Sequence, residues 1–125
     1  MKLTGKVAVI TGASGGIGEA IAVALAGEGA RLLLGGRNAE HLDRVAERAR
    51  EFSPGVETFA ADLTDDDRIH ALAARAVEAF GGVDVLIHSI GYFAGGLMAT
   101  APVEELDRLY KINVRSPYLL TQALL

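Results

Sequence analysis

The sequence predicts an α/β fold, a doubly wound parallel sheet of four strands in the order 3-2-1-4 with helices on both faces. Three observations predict it. Short apolar runs rich in β-branched residues alternate with amphipathic stretches along all 125 residues. The runs lack polar alternation, the pattern of strands covered on both faces. Glycines, prolines and small polar residues punctuate the junctions between them. Parallel strands joined by helices need crossovers of one hand, which leaves few other arrangements. No linker or break in composition divides the chain, so residues 1–125 read as one domain.

Each element has its own signal. Lys6–Thr11 is the first strand. Ile17, Ile21, Ala24 and Leu25 fall near helical spacing, and Gly29 ends that helix. Ala30–Leu34 is the second strand. Leu42, Val45, Ala46 and Ala49 mark the second helix, which Ser53-Pro54-Gly55 stops. Val56–Ala61 is the third strand. Thr64 is expected to cap the third helix, with Asp67 at the third position of a capping box. Ile69, Leu72, Ala73, Ala76, Val77 and Phe80 form its buried stripe, and Gly81-Gly82 ends it. Val83–Ser89 is a fourth buried strand, followed by a loop, Gly91–Ala101.

The last helix takes Pro102 into its first turn and Glu104 and Glu105 at the positive end of its dipole. Leu106, Leu109, Tyr110, Asn113 and Val114 share a face, and Tyr110 and Tyr118 read as packing residues. Pro117 is expected to kink or divide this helix. The sequence stops at Leu124-Leu125 inside a helical pattern. That reads as a chain cut short in preference to a terminal helix that frays.

Composition removes several classes of function. Half the residues are hydrophobic and 22% are charged, which excludes disorder. Fifteen glycines show no three-residue period, which excludes collagen. A formal net charge of −4 argues against a general nucleic-acid binder. With no cysteine there is no disulfide framework, thiolate metal site or cysteine nucleophile. No apolar run reaches the 18 residues that would suggest a membrane span. Gly5 and Lys6 interrupt the only stretch that resembles a leader, so the protein is expected to be cytoplasmic. His41, His70 and His88 lack paired ligand spacing, and Asp65-Asp66-Asp67 reads as helix-start charge, so no metal site is expected. His88, at a strand end, either lines a cofactor pocket or hydrogen-bonds a loop.

Thr11-Gly12-Ala13-Ser14-Gly15-Gly16-Ile17-Gly18 joins the first strand to the first helix. Glycines let a backbone turn sharply and approach a pyrophosphate, while the N–H groups and dipole of the helix start hold the anion. A tight turn without a ligand would not require three glycines at this spacing. The expected contacts are Gly12, Ser14, Gly15, Gly16, Ile17 and Gly18, with Ser14 placed for a ribose or 2′-phosphate. About 20 residues on, a fold of this type selective for NAD places an acid against the adenine ribose. Here stand Arg37 and Asn38. An arginine suits a phosphate and opposes the dipole of the helix it precedes, so NADP(H) is favoured over NAD(H). The alternative for Arg37 is a solvated charge.

With these residues in view, the chain resembles the short-chain dehydrogenase/reductase family from about Leu3 to Leu125, which implies a Rossmann-type sheet. Thr11–Gly18 looks like the family's Thr-Gly-x-x-x-Gly-x-Gly. Asp62, followed by Leu63, looks like its acid that contacts adenine. His88-Ser89-Ile90-Gly91 aligns with its Asn-Asn-Ala-Gly, which brings Ser89, Ile90 and Gly91 to the cofactor. This stretch is also similar to that of bacterial enoyl-acyl-carrier-protein reductases. Asn113 resembles the family's structural and catalytic asparagine, which anchors a water in a locally broken helix; read alone, it is a polar residue satisfied within a kink.

The resemblance implies hydride transfer between a nicotinamide and a small carbonyl or alcohol substrate, and a homo-oligomer built on the late helices. The family's Tyr-x-x-x-Lys is absent: Gly96, Val114 and Gln122 stand four places after Tyr92, Tyr110 and Tyr118. Its catalytic serine has no counterpart either. Gly15 and Gly16 stand where many NADP-preferring members carry a basic residue. Two readings follow: the cofactor-binding half of an NADP(H)-dependent oxidoreductase, or a non-catalytic half-fold that binds NADP(H) or assembles with itself. In a half-fold the fourth strand is an open edge and Leu106, Leu109, Tyr110 and Tyr118 are bared, which predicts dimerisation or aggregation.

Overall fold

The computed structural model describes residues 1–125. Four strands, β1 (Val7–Thr11), β2 (Arg31–Gly36), β3 (Val56–Ala60) and β4 (Val85–His88), pair in parallel in the order β3-β2-β1-β4. Between and after them run α1 (Gly16–Gly27), α2 (Ala39–Arg50), α3 (Asp66–Phe80) and α4 (Val103–Tyr110). A π-helical turn, Lys111–Arg115, continues α4 into α5 (Ser116–Leu124). This is the Rossmann-type arrangement expected, with β1 and β2 at the centre.

Side-chain alternation along the central strands divides the core in two. Ala8, Ile10, Leu32 and Leu34 face α1 and α2, packing on Ala22, Ala26, Leu42, Val45 and Ala49. Val9 and Leu33 face the other way, onto Leu63, Ile69, Leu72 and Ala76 of the α3 side and Leu120 of α5. Leu32, Leu33 and Leu34 are all fully buried, which explains a strand without polar alternation. Truncating any of them to alanine would cost about 2–5 kcal/mol.

Several boundaries and faces differ from expectation. The second strand runs on through Gly35-Gly36, because parallel pairing with β1 and β3 continues there. The cap of α3 is Asp65, whose carboxylate accepts from the Asp67 N–H at 3.0 Å; the Thr64 hydroxyl instead donates to Asp62 Oδ1. Val77 is 57% exposed and lies outside the buried stripe of α3, which turns away after Ala76. Strand β4 is shorter than expected and only partly buried, because β1 is its one neighbour. Pro102 is the N-cap of α4 and not a first-turn residue.

The last helix is divided just before Pro117, where the π-helical turn separates α4 from α5. The ladder adjusts one turn earlier: the Ser116 N–H donates to the Lys111 carbonyl, five residues back, and the helix proceeds. Proline offers no N–H, and the wider turn accommodates that loss. Tyr110 and Tyr118 do not pack; with Leu106 they are bared, as expected of a half-fold. Leu106, Tyr110, Val114 and Tyr118, at intervals of four, are all more than half exposed, while Ser116 and Leu120 are the buried residues of α5, Leu120 within the α3-side core.

Candidate functional site

The carboxyl ends of the four parallel strands gather the predicted residues. Strand β1 ends at Thr11, and Gly12 turns the chain with φ +69°. A Cβ at Gly12 would lie 2.5 Å from the Ser89 carbonyl oxygen, so the turn is pressed against the end of β4. A Cβ at Gly18 would lie 2.2 Å from the Gly12 carbonyl oxygen, so α1 is pressed against the turn. Gly16, by contrast, faces open space.

Helix α1 begins without a side-chain cap. The Gly15 N–H donates to the Gly12 carbonyl, but the N–H groups of Gly16, Ile17 and Gly18 find no acceptor in the chain. Three free donors at a helix start make an anion seat. The Ile17 side chain beside them is 74% exposed, an apolar contact awaiting a partner. Ser14 lies against Gly36, where a Cβ would meet its hydroxyl at 2.9 Å, so the turn and the end of β2 meet at this point.

Past β2, Arg37 is exposed and makes no ion pair within 4 Å. Asn38 caps α2, its Oδ1 accepting from the His41 N–H at 3.0 Å, so its side chain is committed to the helix. Arg37 lines one pocket with Asp62, Thr64, Tyr92, Arg108 and Ile112. The Asp62 carboxylate accepts from the Thr64 hydroxyl at 2.7 Å and the Thr64 N–H at 3.0 Å. Those bonds, helped by the charges of Arg37 and Lys111, hold Asp62 below the ordinary carboxylate range and keep it an ionised acceptor. Leu63 beside it is buried in the core.

After β4, the Ser89 N–H donates to the Thr11 carbonyl, while Ile90 packs on the α3-side core. Gly91 leads to Tyr92, whose main chain Asn113 grips twice: Oδ1 accepts from the Tyr92 N–H at 2.9 Å and Nδ2 donates to its carbonyl at 2.7 Å. Asn113 therefore fastens the π-helical turn to the loop that follows β4. The Tyr92 phenol donates to Glu105 at 2.7 Å, and the Arg108 guanidinium lies over its ring. This cluster was not legible in sequence, because its members come from a loop and a helix that only the fold brings together.

His88 does not bond a loop. Its Nε2 lies 3.0 Å from the Thr121 hydroxyl of α5, which itself donates to the Pro117 carbonyl. Burial pushes the His88 imidazole below its ordinary pKa and favours the neutral ring. Asp65 and Asp66 lie at the helix start: Asp65 caps it in place of Thr64, and Asp66 makes a two-pronged pair with Arg115 at 2.6 and 2.9 Å.

Comparison with known proteins gives a consistent result. The profile of the family described as short chain dehydrogenase matches residues 6–125. An uncharacterized oxidoreductase of Staphylococcus aureus is 39% identical over 123 residues, covering 98% of this chain and 52% of its own. The L-sorbose reductase of Gluconobacter frateurii, solved with NADPH and L-sorbose, is 32% identical with a TM-score of 0.93, covering 99% of this chain and 48% of its own. A metagenomic short-chain oxidoreductase solved with NADP is 40% identical with a TM-score of 0.91, covering 99% and 57%. The chain thus spans about half the length of the relatives it matches.

Proposed function

This chain belongs to the short chain dehydrogenase family, and we propose that it is the cofactor-binding half of an NADP(H)-dependent oxidoreductase acting on a small carbonyl or alcohol substrate. The observation that carries this is the free N–H cluster of Gly16, Ile17 and Gly18 with the unpaired Arg37 beyond the neighbouring strand end. The donor set fits a dinucleotide: three N–H groups for the pyrophosphate, Arg37 for a 2′-phosphate, and Asp62 as an acceptor for the adenine amine. Ser14, Gly15 and Asn38 would hold the ribose, Leu63 the adenine side, and Ser89, Ile90 and Gly91 the nicotinamide side. When bound, the nicotinamide supplies a hydride donor or acceptor. Asn113 contributes by holding the Tyr92 main chain, which keeps the loop after β4 in place as one wall of the site.

Two solved relatives support the NADP reading, since the L-sorbose reductase was solved with NADPH and the metagenomic oxidoreductase with NADP. The test is titration of the protein expressed from its native gene with NADPH and NADH. Charge-assisted bonds to a phosphate contribute about 1.5–3 kcal/mol, so NADPH should bind roughly 10- to 150-fold more tightly. Arg37→Asp should reverse the order, and equal affinities in the parent protein would sink the assignment. The 125 residues by themselves should bind cofactor without reducing a ketone, since they contain no Tyr-x-x-x-Lys. The whole protein is proposed to be a homo-oligomer with no nucleic-acid partner, working in the cytoplasm. No helix is long and apolar enough to cross a membrane.

A further inference from the structure

A recess of about 20 Å³ lies between the ends of β1 and β4 and the last helix, lined by Thr11, Leu63, Thr64, His88, Ile90, Ser116 and their neighbours. Ser116 is one of its lining residues. Ser116 is 6% exposed, and its Oγ is buried with no hydrogen-bond partner, the one such side-chain atom in the chain. A buried hydroxyl left unpaired costs about 1–3 kcal/mol, so an orphan here calls for an explanation. The Thr11 hydroxyl also has bonding capacity to spare, because its one contact, the Ile87 carbonyl, is 3.5 Å away.

The π-helical turn adds a third polar group. With the Ser116 N–H given to Lys111, the carbonyl of Ile112 loses its ordinary helical donor, and Ile112 lines the same recess. His88, which also lines the recess, has an acceptor to spare. Thr121 spends its single proton on Pro117, so it accepts from His88, which places the ring proton on Nε2 and leaves Nδ1 a free acceptor.

We propose that this recess is a binding site for one ordered water, which bridges the Ser116 hydroxyl to the Thr11 hydroxyl. One water needs roughly 10–15 Å³ for its centre and two to four polar partners. The recess meets the first requirement, and Ser116 and Thr11, with Ile112 and His88 at its edge, meet the second. The water joins the strand that launches the glycine turn to the helix that carries Asn113. The site is a property of the apoprotein and does not depend on which cofactor is bound.

The deciding experiment is a crystal structure, at a resolution that shows ordered water, of the protein expressed from its native gene. A density peak within hydrogen-bond distance of both hydroxyls is expected, and a dry recess overturns the proposal. Thermal unfolding of Ser116→Ala, Thr11→Val and the double variant gives a second reading. Each single change should lower Tm by about 2–8 °C, the shift for the loss of one hydrogen-bond link. The double variant should lose little more than the larger single loss, because either change releases the same water. An unchanged or raised Tm for Ser116→Ala would mean that a lone hydroxyl was removed, and additive losses would mean that no shared molecule joins the two. Either result overturns the proposal.

Discussion

Gly16 and Gly18 lie in one helical turn, yet alanine should act on them in opposite ways. At Gly18 the new Cβ would stand 2.2 Å from the Gly12 oxygen, 2.8 Å from the Gly12 carbon and 2.9 Å from the Ala13 Cα. Ordinary carbon contacts lie at about 3.5–4.0 Å. All three obstacles are main chain, so no rotamer change relieves them and α1 must move off the turn. Overpacking of this kind costs about 1–3 kcal/mol, against which alanine regains roughly 0.5–1 kcal/mol of backbone entropy. Gly18→Ala should therefore be destabilised by about 1–2 kcal/mol. At Gly16 the Cβ meets nothing within 4 Å. Gly16→Ala should be as stable as the parent or better by about 0.4–1 kcal/mol. Its methyl group stands at the mouth of the free N–H cluster, however. Loss of one charge-assisted bond there would weaken cofactor binding by roughly 10-fold or more. Urea unfolding and cofactor titration of the two variants separate the effects. A Gly18→Ala protein that unfolds at the parental midpoint would refute the packing argument. A Gly16→Ala protein that binds with parental affinity would refute the anion seat.

Four further outcomes are expected. Asp62 is held below its ordinary value near 3.8 by the Thr64 bonds, so its contribution is full above that pH and is lost as pH falls through the folded-state value; Asp62→Asn should flatten that part of the acid-unfolding curve. His88 is also lowered, from 6.5 by burial, so the folded state resists protonation and loses stability as pH drops below 6.5; His88→Gln should remove that component, and an unchanged profile would contradict the burial argument. Asn113→Leu removes both bonds to the Tyr92 main chain and should speed amide exchange at Tyr92, whereas Asn113→Asp retains the acceptor and should slow it again. Finally, the open row of Leu106, Tyr110, Val114 and Tyr118 suits a second copy of the chain, and Tyr118→Glu should shift sedimentation toward monomer. A parent that sediments as a monomer at high concentration would remove the need for that partner.

The sheet was legible in sequence because its central strands are buried on both faces, and nothing but apolar runs such as Val7–Ile10 and Leu32–Leu34 can fill such positions. The glycine turn was legible for a related reason. Close approach of backbone to backbone tolerates only glycine, so Gly12 and Gly18 mark contacts that side-chain pattern cannot encode. What escaped was set by competition between nearby groups. Thr64 and Asp65 are both good caps, and the choice between them depended on Asp62, which draws the Thr64 hydroxyl and leaves the helix start to Asp65. Exposure of the last helix was read from the open edge of the sheet and not from periodicity, which reports that a face is apolar, not that something covers it. Leu106 and Tyr118 have the spacing of core residues and the exposure of an interface. Asn113 combines both limits. Its position mid-helix suggested a locally satisfied side chain, but its partner is the main chain of Tyr92, 21 residues earlier. The π-helical turn around Asn113 precedes a proline that gives no N–H to the ladder. Pro117 was read as a kink or division of the helix, and the division falls just before it as a wider turn; that turn carries the residue that holds the Tyr92 main chain.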